Sequence, residues 1–590
     1  MKLSRTAVAL AAVTMLLTTM SSPAVAEPPP DGPPPLTGDV GVDGPFSHST
    51  GVPASSTDRE SATAQLDIQV LDRAGTVPSG GQSRYVLILD VEDMSNYTTD
   101  LVDGAASVKV PHGTYSVAAF VLTAEADGRV SRTLAVDPLV EVSGDGAVVL
   151  DASRARHPIR VSVDREDAAL RGGTVLFSQP GPGTDPWGDV FHPWYAFDLD
   201  PSGLNYVTPT EDVPGAALHV YSALTQAGAA TSPYSYHLID STLGRVPRRP
   251  SYRHRTSGLA ELVSRVAAQG RPGCAAFSPD MLLPGEAVGM GWSTVTGASP
   301  GSHTSYFTPG PHTWGLGLAY TGPDCDFGGP GSLDHFHSGQ TFPAPGRYTE
   351  AWHTAPLGPA LAGTNPVLPA DVAEWFGPAR REGDHLVFRI PLLVDSGANH
   401  WGQATPGWPA AGTSGWTMLL RDGEKVGASD VPGVGDFPVG AETARYRLVT
   451  ESTRSVPWSD LATVQNVAWD FTSAPVEGDL PGQLPLLVVR YDLDLDDDGR
   501  APAGQSYSFG VRVEHWTTAP VGTIETLTVD VSYDDGGTWH EVPLTADGGS
   551  WVASLDHPAD AGYVSLRARA GDAAGNSVEQ TVIRGYGLAD

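Results

Sequence analysis

From Leu66 onward the chain alternates apolar and polar residues in short runs. LDIQVLD (66–72), YVLILD (85–90), VKVPHGTYSVAAFVL (108–122), AVVLD (147–151) and IRVSVD (159–164) step with period two between Gly, Pro, Asp and Ser. That is the pattern of half-buried strands. It predicts a β-sandwich over 61–165. Short strands recur beyond it, as TVLFS (174–178), RYTEAWHT (347–354), HLVFRIPLLV (385–394) and WTMLLRDGEKVG (416–427). They predict a central β-rich domain over 166–380 and a further sandwich over 381–475.

One stretch reads otherwise. In SGLAELVSRVAAQG, 257–270, Ser257 is a candidate N-cap, Leu259, Leu262, Val263 and Val266 fall on one helical face, and Gly270 ends the run. A helix is expected there. LPGQLPLLVVRYDLDLDDDGRAPAGQ (480–505) runs into an acidic turn, so 476–506 reads as a linker. The period-two runs after it predict an immunoglobulin- or fibronectin-like sandwich over 507–590. The fold class is therefore mainly β, with several tandem sandwiches and very few helices.

The N-terminus differs in kind. Lys2 and Arg5 precede an apolar run from Thr6 to Leu17, and Ala24-Val-Ala26 offers a cleavage site. Residues 1–26 are expected to be a signal peptide, and the mature chain to be secreted and extracellular. Residues 27–60, rich in Pro, Gly and Ser, have too few apolar side chains to pack and read as a disordered linker. No later run is long enough for a membrane helix.

Composition narrows the function. The net charge of −33 repels nucleic acid and anionic membranes. Gly 68 and Pro 51 supply about a fifth of the 590 residues and favour turns over long helices. Two cysteines, Cys274 and Cys325, in an exported chain are expected to form one disulfide. A monomer is expected.

Fragments of a serine-peptidase triad stand close together: Asp395-Ser-Gly, His400 and Gly-Thr-Ser414. A subtilisin-type triad separates its Asp and Ser by roughly 190 residues and starts a buried helix at the Ser. Here Ser414 leads into Trp-Thr-Met-Leu-Leu, a strand pattern. A second pair, Asp90 and His112, is followed by another strand and by no Ser motif. No catalytic residue is assigned.

Other motifs carry candidate chemistry. Asp494, Asp496 and Asp498 before Gly499 match the first half of a calcium loop, although Gln505 stands where a bidentate Glu belongs. A solvated acidic turn is the bland reading, and calcium is the one cofactor suggested. His335 and His337 share a strand face and suggest a transition metal, against ordinary hydrogen-bonded histidines. Residues 166–475 hold 11 of the 14 Trp. Among these, Trp352, Trp401 and Trp416 are candidate stacking platforms for a sugar, or core residues. Ser532, Asp534, Gly536, Thr538 and Trp539 form an Asp-box, expected to be a structural hairpin turn.

Several segments resemble a known family. Pro111-x-Gly113-x-Tyr115-x-Val117 is similar to the strand motif of transthyretin-like, carboxypeptidase-regulatory-like domains. VKVPHGTYSVAAFV (108–121), PAPGRYTEAWHTAPLGP (343–359), FRIPLLVDSGANHWG (388–402), TMLLRDGEKVGASDVPG (417–433), ARYRLVTESTRS (444–455), VSYDDGGTWHEV (531–542) and the tail 561–588 resemble the C-terminal accessory region of secreted actinobacterial subtilisin-like (S8) peptidases. The resemblance spans most of 61–590 and is strongest after 340. It implies a non-catalytic region, since no hydrolytic domain fits between the leader and residue 61. The expected function is extracellular binding or scaffolding, on a protein, polysaccharide or cell-wall glycan, or assistance to a peptidase. The alternative is a hydrolase with a site in the His- and Trp-rich middle.

Overall fold

The computed structural model describes residues 46–48, 62–78, 85–92, 95–179, 183–184, 190–191, 194–282, 289–327, 334–361, 377–397, 399–402, 404, 410–476, 478 and 480–589. Among them the chain is built from strands, with two single-turn 3₁₀ segments, Ala152–Arg154 and Thr256–Gly258, and no α-helix.

The first sandwich packs a three-stranded sheet (Ala105–Pro111, Thr63–Leu71, Gly146–Asp151) on a five-stranded one. Strict alternation in Thr63–Leu71 puts Ala64, Leu66, Ile68 and Val70 into the core, where they meet Val86, Ile88, Val117 and Val121. The Tyr115 hydroxyl donates to Pro111 O at 2.8 Å and fixes the strand entry. The five-stranded sheet also recruits Asn205–Val207, parallel to Val130–Val142, so it extends past residue 165.

The central unit faces an eight-stranded sheet against a five-stranded one. In the larger sheet Ala260–Val266 lies between Gly301–Phe307 and Gly346–Trp352. This overturns the helix expected over 257–270. The same residues also alternate with period two: Ala260, Leu262, Ser264 and Val266 point in, while Glu261, Val263 and Arg265 are more open to solvent. Strands on both sides satisfy every second backbone group, and that tertiary pairing outweighs local helix preference. The linker expected over 27–60 is also interrupted, because Phe46–His48 pairs with Trp194–Asp198 at the sheet edge.

The C-terminal part centres on a nine-stranded sheet. Thr413–Arg421, Ala444–Arg454 and Val464–Ser473 continue into Ser577–Ala589, Tyr563–Asp572 and Ile524–Ser532. The segments 381–475 and 507–590 thus share one sheet and one core, in which Leu448, Trp469, Val529 and Leu566 are buried together. The stretch 476–506 is no free linker. It supplies strands Gly482–Gln483, Val488–Asp492 and Arg500–Pro502.

Candidate functional site

Two of the triad fragments, Asp395 and His400, sit where the central unit meets the C-terminal sheets. Residues 395–400 make a turn that folds His400 back onto Asp395. Gly397 permits it, since a Cβ there would stand 2.4 Å from His400 Nδ1. Asn399 takes the left-handed conformation (φ 62°), which Asn tolerates better than most residues.

His400 Nδ1 then donates to Asp395 Oδ1 at 2.6 Å, and its Nε2 lies 3.3 Å from Glu350 Oε1. Glu350 comes from Gly346–Trp352 and also accepts the Ser338 hydroxyl at 2.5 Å. The other oxygen of Asp395 accepts the backbone N–H of His353 at 2.6 Å. Beneath the turn, the buried guanidinium of Arg490 donates to the carbonyls of Gly358, Pro359, Val394 and Asp395. Asp395 is fully buried and His400 is 4% exposed.

Electrostatics follow from that packing. Burial opposes the charge on His400, but Asp395 and Glu350 on its two nitrogens outweigh it and push the imidazole up to about 9. Burial likewise opposes charge on Asp395, and His400 with Arg490 holds it below the ordinary carboxylate range. The imidazolium is a clamped cation. With both nitrogens committed to carboxylates, it cannot take a proton from a serine.

Ser414 is elsewhere. It lies exposed on the outer face of the nine-stranded sheet, opposite Thr453, and its Oγ is 2.9 Å from Thr453 Oγ1. The second pair fares no better: Asp90 closes its own turn by accepting the Glu92 N–H at 2.7 Å.

The acidic run serves as a docking turn. Asp496 Oδ1 accepts the N–H groups of Asp498 and Arg500, at 2.9 and 2.8 Å. The carbonyls of Asp497 and Asp498 accept Ala268 N–H and Gly270 N–H, and Asp497 pairs with Arg265. Tyr507 donates to Asp494 O at 2.9 Å. Among the described residues no three His, Cys, Asp or Glu side chains gather so as to hold a metal ion. Asp496 is engaged by backbone N–H groups, and no third side chain of these types joins His335 and His337 among the described residues.

The aromatic candidates divide. Trp352 is fully buried, with its ring 4.4 Å from that of His400, so it is a core residue and no platform. Trp401 is half-buried and stacks on His337 at 4.3 Å. Trp416 is half-buried on the outer sheet face, opposite Glu451. Trp408, another indole of the Trp-rich middle, lies outside the described residues.

In the Asp-box, Asp534 accepts the backbone N–H of Thr538 and the hydroxyls of Ser532 and Thr538, at 2.7, 2.7 and 2.8 Å. Those bonds lower its carboxyl to about 2. Gly536 takes φ 90° at the turn, and Arg567 lies 4.5 Å above the Trp539 ring. The motif closes a hairpin. Cys274 and Cys325 are joined in a disulfide.

Sequence reasoning missed Glu350 and Arg490. A lone Arg within the apolar run LPLLVVRYD was the available signal, because a buried guanidinium needs partners.

No protein-family model and no curated protein matches the chain. Among solved structures it is similar to the Bacillus anthracis TIE protein (12% identity, 49% of this chain and 50% of that one, TM-score 0.12). It is also similar to a streptococcal ancillary pilin (13% identity, 49% and 99%, TM-score 0.11) and to an Escherichia coli alpha-2-macroglobulin (7% identity, 89% and 53%, TM-score 0.12). The chain spans half the length of the first of these. At such values none of them fixes a fold or a function. Among the described residues no helix is long and apolar enough to cross a membrane.

Proposed function

We propose that this chain is an exported, non-catalytic β-scaffold that presents binding surfaces outside the cell, akin to the accessory region of subtilisin-like peptidases that it resembles. The observation that carries this reading is the closed arrangement Glu350–His400–Asp395. The histidine held by the buried Asp395 has its second nitrogen on a carboxylate, while Ser414 bonds Thr453. A serine hydrolase of the triad type needs a free base beside its nucleophile. The leader-like N-terminus and the Cys274–Cys325 disulfide support export, and a rigid assembly of shared sheets suits a scaffold for protein or glycan.

The test is labelling of the purified chain with a fluorophosphonate probe, alongside a casein zymogram. No label and no clearing are expected, and covalent labelling of any serine overturns the reading. Export is checked separately by sequencing the N-terminus of protein from the medium, which should begin at Glu27.

A further inference from the structure

The outer face of the five-stranded central sheet has an unusual floor. Gly273–Leu282 pairs with Thr313–Thr321, which pairs with Asp334–Thr341, so one row across the sheet reads Ser278, Gly317, His337. The row beside it reads Gly291, Asp280, Gly315, Gly339. Glycines between side-chain-bearing positions leave a shallow trough, partly filled by the Asp280 carboxyl that lies over Gly315. It is closely trimmed, since a Cβ at Gly315 would lie 2.4 Å from Asp280 Oδ1 and one at Gly317 would lie 3.6 Å from His337 Nδ1. Trp401 extends the first row: it exchanges two backbone hydrogen bonds of 2.8 Å with His337 and stacks its ring on the imidazole.

The polar groups here are unfinished. His337 Nε2 and Trp401 Nε1 are buried without a hydrogen-bond partner. Asp280 has no ion pair or side-chain partner among the described residues; its carboxyl receives only its own backbone N–H. By contrast Asp334 is matched by Arg454 and Asp395 by His400. Buried polar atoms left open in this way cost free energy unless something completes them. Ser278, bonded to Ser293 at 2.6 Å, keeps further acceptor capacity.

We propose that this trough binds a neutral, polyhydroxylated ring, a sugar unit of a glycan chain, through hydrogen bonds to Asp280, Ser278 and His337 beside Trp401. Charge decides the ligand class. The four strands that form the trough carry no Lys or Arg, which leaves nothing to attract an anion. Burial holds His337 neutral, at about 3, and raises Asp280 to about 7, so near neutral pH the face carries at most one partial negative charge and no positive one, while rich in donors and acceptors. An indole at the rim supplies the apolar surface that a sugar ring covers. Among the described residues one carboxyl lines the trough, whereas glycoside hydrolysis uses two, so the proposed site is one that holds a sugar.

The proposal rests on the scaffold reading and deepens it. The experiment is calorimetric titration of the full mature chain with cellohexaose and with chitohexaose, repeated for Asp280→Ala and Trp401→Ala. Sugar integrity is checked by chromatography. Binding of one hexaose is expected, weakened at least tenfold by each substitution, with the sugar recovered intact. No binding by either hexaose, or equal affinity in both variants, overturns the trough and leaves the scaffold standing. Binding with cleavage sinks the non-catalytic reading and leaves the trough standing. Should the variants fail to fold, the Asp280 carboxyl resonance of the unsubstituted chain, labelled with ¹³C-aspartate, must move on adding the bound hexaose; an unmoved resonance overturns the site.

Discussion

Asp334 and Arg454, 120 positions apart in sequence, meet as a fully buried ion pair that ties the central unit to the C-terminal sheet. The Trp458 indole donates to the same Asp334 oxygen at 2.8 Å, and His353 Nε2 lies 3.6 Å from it. Burial opposes charge on Asp334, yet Arg454 and these neighbours hold its carboxyl below the usual range. Arg454→Met strands the carboxylate and is expected to cost about 3–5 kcal/mol in urea unfolding. Adding Asp334→Asn should return much of that loss. A single mutant within 1 kcal/mol of the parent refutes the coupling.

His400 sets a pH dependence of stability. Its folded value, about 9, lies above the unfolded value of about 6.5, so its contribution is complete below pH 6.5 and lost as pH rises towards 9. The contribution is on the order of 3 kcal/mol. Stability of the parent should fall across that window. In His400→Gln the slope should flatten, measured as unfolding midpoints between pH 6 and pH 9.5.

The disulfide joins residues 51 apart. On the chain-entropy account its removal by Cys274→Ser with Cys325→Ser costs about 4 kcal/mol. Denaturant titration of the double variant checks this, and an unchanged midpoint contradicts it.

Trp352 and Ser414 should behave as opposites. Trp352→Ala empties a buried site and is expected to cost about 3–5 kcal/mol. Ser414→Ala removes an exposed hydroxyl pair and should stay within about 0.5 kcal/mol. Equal effects would mean that the burial of the two residues is misassigned.

EDTA should leave the melting temperature of the full chain unchanged, because Asp496 is spent on backbone N–H groups and not on an ion. Asp496→Ala, which frees two donors, should lower it.

The strands were legible because their alternation is enforced by burial, as Leu66, Ile68 and Val70 illustrate. The 257–270 segment was not, because Leu262 and Val266 satisfy both a helical and an alternating template, and only the flanking strands decide between them. Asp395 and His400 were visible as neighbours five residues apart. Glu350 and Arg490, brought in from 50 and 95 positions away, were not. The trough had a faint signature in TWGLGLAY, where alternate glycines in a strand mark a close approach.

The pairing of Val464–Ser473 with Ser577–Ala589 constrains the order of assembly. As the chain emerges N-terminus first, the strands of 413–473 wait for a neighbour made over a hundred residues later. Until it arrives, the half-built sheet offers an open apolar edge to anything nearby. Closure of the sheet therefore falls to the last strand made, and a chain cut short before residue 577 would keep that edge open.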